Sequence, residues 1–283
     1  MMLTFINAGR VEETEEIFRA YIAACKSGRL GQHRSTTAEI GRHQQIQVWN
    51  TMIEAYFRFN MADKAVDFVE QMLSSTATNS FAINEIPVPT SSTFATVIAG
   101  FIQNKDVKSA LSWFDNLLKE EKAPINPFQG LDGKAMKPNT VAWHMMFDAL
   151  ANEGMIDDLN RLYKIARASY VEDHILIRGV DHLIVYRANL DNLEKLTKEQ
   201  ALEVLAWLVD SLSSDPLPGM KERWTLMMDL CLEYVKRGDY VTPFNLLSEF
   251  IVGGVAELLP TTGTSARFFD CLRSSPSQSA RIK

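Results

Sequence analysis

A histidine stands next to an acid twice within ten residues, at Asp173–His174 and Asp181–His182. An imidazole beside a carboxylate can act as a general base or, with further ligands, hold zinc. On one continuous helix the two pairs would be offset by about 80°, from the 100° turn per residue. No third ligand or nucleophile stands in register, so the spacing does not complete a metal or hydrolytic site. Cys25, Cys231 and Cys271 lie far apart and form no CxxC pair, which argues against a disulfide framework or a structural zinc and points to a reducing compartment. The stretch "GGVAELLPTTGTS" has glycines but lacks the Lys-Ser/Thr ending and preceding strand of a phosphate loop. Neither paired carboxylates nor a nucleophile elbow has supporting context. These residues do not read as an enzyme, and no cofactor, metal or small-molecule substrate is expected.

The balance of the chain is ordinary for a globular protein. It has 283 residues, 46% of them hydrophobic and 23% charged, with a formal net charge of -6. An acidic total counts against a generic nucleic-acid binder, whose footprint is basic. It leaves room for a binder that gathers its Lys and Arg on one face. No apolar run reaches the roughly 18 residues needed to span a bilayer. The opening "MMLTFINAGRVEETEEIFRA" lacks the Arg/Ser-rich, acid-poor character of a transit peptide and the apolar core of a signal peptide. Its acidic run "VEETEE" reads as a solvated face near a helix N-terminus, where negative charge is favourable.

What could position any site is a repeat. Trp49 is followed by Met52, Ile53 and Tyr56; Phe94 by Val97, Ile98 and Phe101; Trp143 by Met146, Phe147 and Leu150; Trp224 by Met227, Met228 and Cys231. The offsets i, i+3, i+4 and i+7 place each set on one helical face. A second amphipathic run follows each of the first three: "ADKAVDFVEQML", "DVKSALSWFDNLL" and "MIDDLNRLYKIA". Breaks at Asn60, Asn104–Lys105–Asp106 and Gly154 suit short helix–helix turns. Pro89 and Pro138 separate one hairpin from the next. The chain opens partway into a unit, with a turn at Ala8-Gly9-Arg10, so residues before Met1 are expected. After Arg167 the pattern loosens; 173–188 with 197–213, and 220–237 with 242–258, read as two further pairs. One hairpin cannot bury both of its apolar stripes, but stacked hairpins shield one another. The expected fold is therefore all-α, a right-handed α-solenoid of about five to six antiparallel helical hairpins over 1–258. Loop insertions are expected near 75–90 and 121–139, with a partly disordered tail over 259–283.

The segments "VWNTMIEAYFRFNMADKAVDFVEQM", "STFATVIAGFIQNKDVKSALSWFDNLL" and "KPNTVAWHMMFDALANEGMIDDLNRLY" resemble pentatricopeptide repeats. They show the aromatic, the polar residue often after it, the turn, and the second helix with Ala near its start. The resemblance is close from Val48 to Ala166 and weak between 168 and 215, and its insertions are similar to divergent mitochondrial members. It implies binding of single-stranded RNA, one base per repeat, read by the residue after the aromatic and the residue closing the repeat. Carried onto this sequence, the first set is Asn50, Ala95 and His144. The closing residues are Thr90 for the unit of Asn50 and Asn139 for the unit of Ala95. Asn50 and Asn139 suit the family's pairing, while Thr90, Ala95 and His144 depart from it. The resemblance also implies a mitochondrial location and a role in RNA stability, processing or translation. The alternative is a protein–protein scaffold or assembly factor for an organellar complex or ribosome, suggested by the negative charge and the eroded code. The RNA reading further requires Lys and Arg to collect on the face of the first helices.

Overall fold

The structure, a computed structural model, describes residues 2–27, 38–77, 86–119, 137–173, 177–214 and 220–250. Among these residues it is all-α. The helices are α1 (Met2–Asn7), α2 (Val11–Lys26), α3 (Ala38–Arg58), α4 (Ala62–Ala77), α5 (Ser91–Gln103), α6 (Val107–Leu118), α7 (Thr140–Asn152), α8 (Ile156–Asp173), α9 (Gly179–Asn192), α10 (Lys198–Ser214), α11 (Met220–Lys236) and α12 (Val241–Phe250). They succeed one another as the first and second members of helical hairpins. The chain divides into two compact units, Met1–Ala149 and Leu150–Lys283, with the boundary inside α7. No described helix is long and apolar enough to cross a membrane.

The repeat is written first in its turns. Gly9, Asn60, Lys105, Gly154 and Gly238 all have positive φ, at 72°, 56°, 59°, 69° and 84°. In each case the next residue donates its N–H to the carbonyl five positions back: Arg10 to Phe5, Met61 to Tyr56, Asp106 to Phe101, Met155 to Leu150 and Asp239 to Tyr234, at 2.8–3.0 Å. This is the Schellman ending, which satisfies carbonyls that the end of a helix would otherwise leave open. A left-handed residue then reverses the chain into the second helix. The link from α9 to α10 is different. It runs through a 3-10 turn at Leu193–Lys195, and Thr197 and Gln200 cap the new helix reciprocally.

Packing repeats the same register. The four aromatics that open the sequence repeat, Trp49, Phe94, Trp143 and Trp224, are all buried, as the apolar periodicity requires. Counting from the left-handed residue, the ninth position of a second helix meets the aromatic of the next first helix. Phe18 meets Trp49 edge-on at 5.3 Å and 81°, and Phe114 meets Trp143 at 4.7 Å and 79°. Edge-to-face contacts of this kind add to area burial. Between α3 and α5 the approach is closer still, because Gly100 lies against the ring of Phe57.

In the second unit, α9 carries the same four offsets with different chemistry. His182, Val185, Tyr186 and Asn189 are all buried. Tyr163, the ninth residue after Gly154, meets the ring of His182 at 5.6 Å and 88° and hydrogen-bonds its Nδ1 at 2.5 Å. The α10–α11 side of this unit is apolar, built on Leu205, Leu208, Trp224, Met228 and Cys231.

Several boundaries differ from the sequence expectation. Helix α8 continues to Asp173, since nothing after Arg167 breaks it, and the next helix begins at Gly179 rather than at residue 173. The first insertion is shorter than expected: α4 runs to Ala77, and Ile86–Thr90, without regular secondary structure, leads into α5 with Pro87 and Pro89 buried. Residues 120–136, which make up most of the second insertion, and the 259–283 tail lie outside the described residues.

Candidate nucleic-acid interface

Asn50, Ala95 and His144 occupy equivalent places in α3, α5 and α7, each directly after a buried aromatic. Their surroundings differ. Asn50 is half-buried and donates through Nδ2 to the Ser92 hydroxyl of α5 at 3.0 Å. Its Oδ1 is enclosed and has no hydrogen-bond partner among the described residues. Turning the amide over would let Oδ1 accept from Ser92 and enclose Nδ2 instead. In either orientation Ser92 holds one end. Ala95 is 9% exposed and offers only a methyl group. His144 is half-buried.

The two closing residues are engaged in helix capping. Thr90 precedes α5; its N–H donates to the Thr93 hydroxyl at 3.1 Å, and the two hydroxyls lie 3.4 Å apart. Asn139 precedes α7, and its Oδ1 accepts from the Ala142 N–H at 2.9 Å. Such caps satisfy donors that the first turn of a helix leaves open, a contribution of about 1 kcal/mol each. Thr90 lies two residues before Ser92, so Asn50 and the residue closing its unit fall in one neighbourhood. No side-chain hydrogen bond can make the same link from Ala95.

The expected gathering of cations is not found on these helices. Among the described residues, α5 carries no charged side chain and α7 carries only Asp148. Over 45–58 of α3, Glu54 and Arg58 pair with each other at 2.7 Å, and Arg58 also donates to Asn7 of α1 at 3.1 Å. The first helices of this unit therefore present neutral polar groups such as Gln47, Thr51, Ser92, Thr96 and Gln103. Lysines sit instead on the turns and second helices, at Lys64, Lys105 and Lys108.

Two roles were hidden from sequence reasoning. Glu15, read as part of a solvated run, joins the first two hairpins. Its carboxylate accepts from Lys64 at 3.0 Å, Arg19 at 3.0 Å and the Tyr56 hydroxyl at 3.1 Å. The bond from Lys64 holds this carboxyl below its ordinary value of 4.5, with Arg19 and Tyr56 adding to the effect against partial burial. Burial, reinforced by the charge of Glu15, pushes the Tyr56 hydroxyl up. The second is the acid–histidine pair. Asp173 ends α8, His174 lies outside the described residues, and Asp181 and His182 open α9, so the two pairs do not share a helix. The buried Asp181 accepts from the Arg178 N–H at 2.8 Å, and His182 is bonded to Tyr163. His182 fills the position held elsewhere by Trp or Phe. The offsets His182, Val185, Tyr186 and Asn189 could have revealed this, had polar residues been admitted to the pattern.

The comparisons follow the same register. The PPR repeat pattern matches residues 47–75 and 92–121, which begin at the first helix and end near the close of the second in the hairpins α3–α4 and α5–α6. Among curated proteins, no sequence matches the chain. In fold, the chain is similar to the crystal structure of the pentatricopeptide repeat protein PPR10 from maize, with TM-score 0.50 and 13% identity over 96% of this chain and 30% of that one. The structure of PPR10 in complex with an 18-nt psaJ RNA element gives TM-score 0.39 and 12% identity over 95% and 30%. The chain thus spans about a third of the length of PPR10, and the likeness shows the helical-hairpin solenoid fold. Two of its hairpins, α3–α4 and α5–α6, thus match the pentatricopeptide repeat in sequence, and the chain shares the fold of a pentatricopeptide repeat protein.

Proposed function

We propose that this protein binds single-stranded RNA along its first helices and acts in a mitochondrion or other organelle, in RNA stability, processing or translation. The observation that carries the reading is the pair of matched repeats, 47–75 and 92–121, since repeats of this kind present side chains to successive bases. Asn50, Thr90, Ala95, Asn139 and His144 are the positions assigned to that contact. Asn50 is the one best able to read a base edge, and it would do so by exchanging Ser92 for the base. The role is one of binding rather than catalysis. Filter binding of single-stranded RNA at varied salt tests it. The expected result is sub-micromolar binding with a shallow salt slope, of about three phosphates or fewer, because α5 and α7, which carry the assigned positions Ala95 and His144, have no Lys or Arg. No binding at low salt overturns it. Fractionation of cells expressing the tagged protein tests the location, and a purely cytosolic distribution counts against an organellar role.

One observation favours a second reading. A helical-repeat surface that is neutral and polar over α5 and α7 also suits a protein partner. Recovery of a stable protein partner after nuclease treatment, together with absent RNA binding, selects this alternative.

A further inference from the structure

The amide of Asn50 and the hydroxyl of Ser92 meet at one step of the repeat. Asn50 follows the aromatic Trp49 of α3 by one residue, and Ser92 precedes the aromatic Phe94 of α5 by two. Asn50 Nδ2 donates to Ser92 Oγ at 3.0 Å, across 42 residues of chain. Ser92 is exposed and Asn50 is half-buried, so the bond lies at the surface of the two first helices, where the base is expected. The following step has no such link. There α5 carries Ala95 in the place of Asn50, and α7 carries Val141, 59% exposed, in the place of Ser92.

An amide reads a base edge best when it donates and accepts together. Asn50 cannot do both as it stands. One donor is given to Ser92, and Oδ1 is enclosed with no hydrogen-bond partner among the described residues. Reversing the amide leaves the same difficulty, with the acceptor on Ser92 and the donor group enclosed. To meet a base with both ends, the side chain must leave Ser92 and swing outward. The resting arrangement is a shallow well, since an enclosed acceptor without a partner is costly. A ligand that satisfies both ends can displace it, but only by breaking the bond to Ser92. The apparent affinity is then the intrinsic one scaled by the fraction of chains in which Asn50 is already released.

Resting on the RNA reading above, we propose that the Ser92 hydroxyl competes with the base for Asn50 and holds this repeat closed until RNA displaces it. Ser92 thus sets how tightly and how selectively the Asn50 position reads. Filter binding of the full chain to short single-stranded oligo(A), oligo(C) and oligo(U) at one salt concentration tests this. Ser92→Ala frees Asn50 and tightens binding of at least one oligomer by roughly two- to tenfold, the range expected for one neutral hydrogen bond. Asn50→Ala in the same chain abolishes the gain, and Ser92→Thr, which keeps a hydroxyl, leaves the native affinity. Thr90 and Thr93 close the start of α5, so these changes leave the helix in place. Binding by Ser92→Ala that is unchanged or weaker for every oligomer overturns the proposal while the RNA reading stands. A gain that survives Asn50→Ala overturns it as well, since the amide would then not be the group released. Absence of binding by the native chain and by Ser92→Ala alike removes the RNA reading and the proposal together.

Discussion

Two junctions between hairpins, one in each unit, solve the same geometric problem with opposite chemistry. Where Phe114 meets Trp143 the contact is edge-on and wholly apolar. Where Tyr163 meets His182 the rings sit at nearly the same angle, but a hydrogen bond joins them, and Asn160 and Asn189 pair beside them at 2.8 and 2.9 Å. Apolar burial is non-directional and tolerates small slips. A reciprocal amide pair allows one alignment and leaves buried groups unsatisfied in any other. The comparison teaches that the repeat constrains position and size more tightly than polarity. A polar seam can be carried if every member finds its partner across it.

The largest effect is expected on the apolar side. A Cβ at Gly100 would stand 2.2 Å from the ring of Phe57, which is fully buried. Gly100→Val should cost about 3 kcal/mol through overpacking, despite its removal of a helix-interior glycine. Denaturant midpoints check this, and Phe57→Leu in the same chain should restore part of the loss. An unchanged midpoint would show that α3 and α5 do not approach as described.

The polar seam is broken differently. Asn189, 1% exposed, bonds Asn160 and the Val185 carbonyl. Asn189→Ala strips Asn160 of its partner and should cost about 2 kcal/mol. Replacing both by Leu removes the polar groups together and should cost clearly less, since no orphan remains. A double variant worse than the single one would show that the pair stabilises by more than mutual satisfaction.

This contrast also explains what could be read in advance. Trp49, Phe94, Trp143 and Trp224 were legible because buried apolar residues impose a period that survives in one dimension. The turns at Gly9, Asn60, Lys105 and Gly154 were legible from local residue types. His182 and Asn189 were not, because a polar side chain is suitable for a core only when its partner comes from another helix, and Tyr163 and Asn160 lie 19 and 29 residues away. Glu15 was misread for the same reason, its partner Lys64 being 49 residues distant. Of the site, the equivalence of Asn50, Ala95 and His144 was visible. The Ser92 hydroxyl on Asn50, and the lack of cations on α5 and α7, needed the neighbouring hairpin to be placed beside it.

Glu15 gives a smaller and reversible test. Its carboxyl titrates below 4.5 in the folded chain, so the folded state favours the ionised form. The resulting stability is intact above about pH 4.5 and is lost as pH falls through the lowered value, because the unfolded chain takes up the proton first. The junction between the first two hairpins should weaken by about 1 kcal/mol across that window. Glu15→Gln should flatten this part of the pH dependence of unfolding. An identical pH profile in the variant would remove Glu15 from the junction.

The smallest effect lies in the turns, and its sign separates residues that share one backbone shape. Lys105 holds φ at 59° with a Cβ that crowds the adjacent carbonyl, while Gly154 holds 69° without one. Lys105→Gly relieves that crowding but gives the unfolded chain more freedom. The steric gain is about 1 kcal/mol or slightly more and the entropic loss is somewhat smaller, so a net stabilisation of about 0.5 kcal/mol is expected. Asn60→Gly should gain less, because a short polar side chain tolerates the left-handed region. Gly154→Ala runs the other way and should cost about 1 kcal/mol, although nothing lies within 4 Å of the added carbon, so the loss cannot be assigned to packing. Denaturant titrations of the three variants give the order directly. If Gly154→Ala proved neutral, the left-handed turn would not be the element that sets the repeat's register.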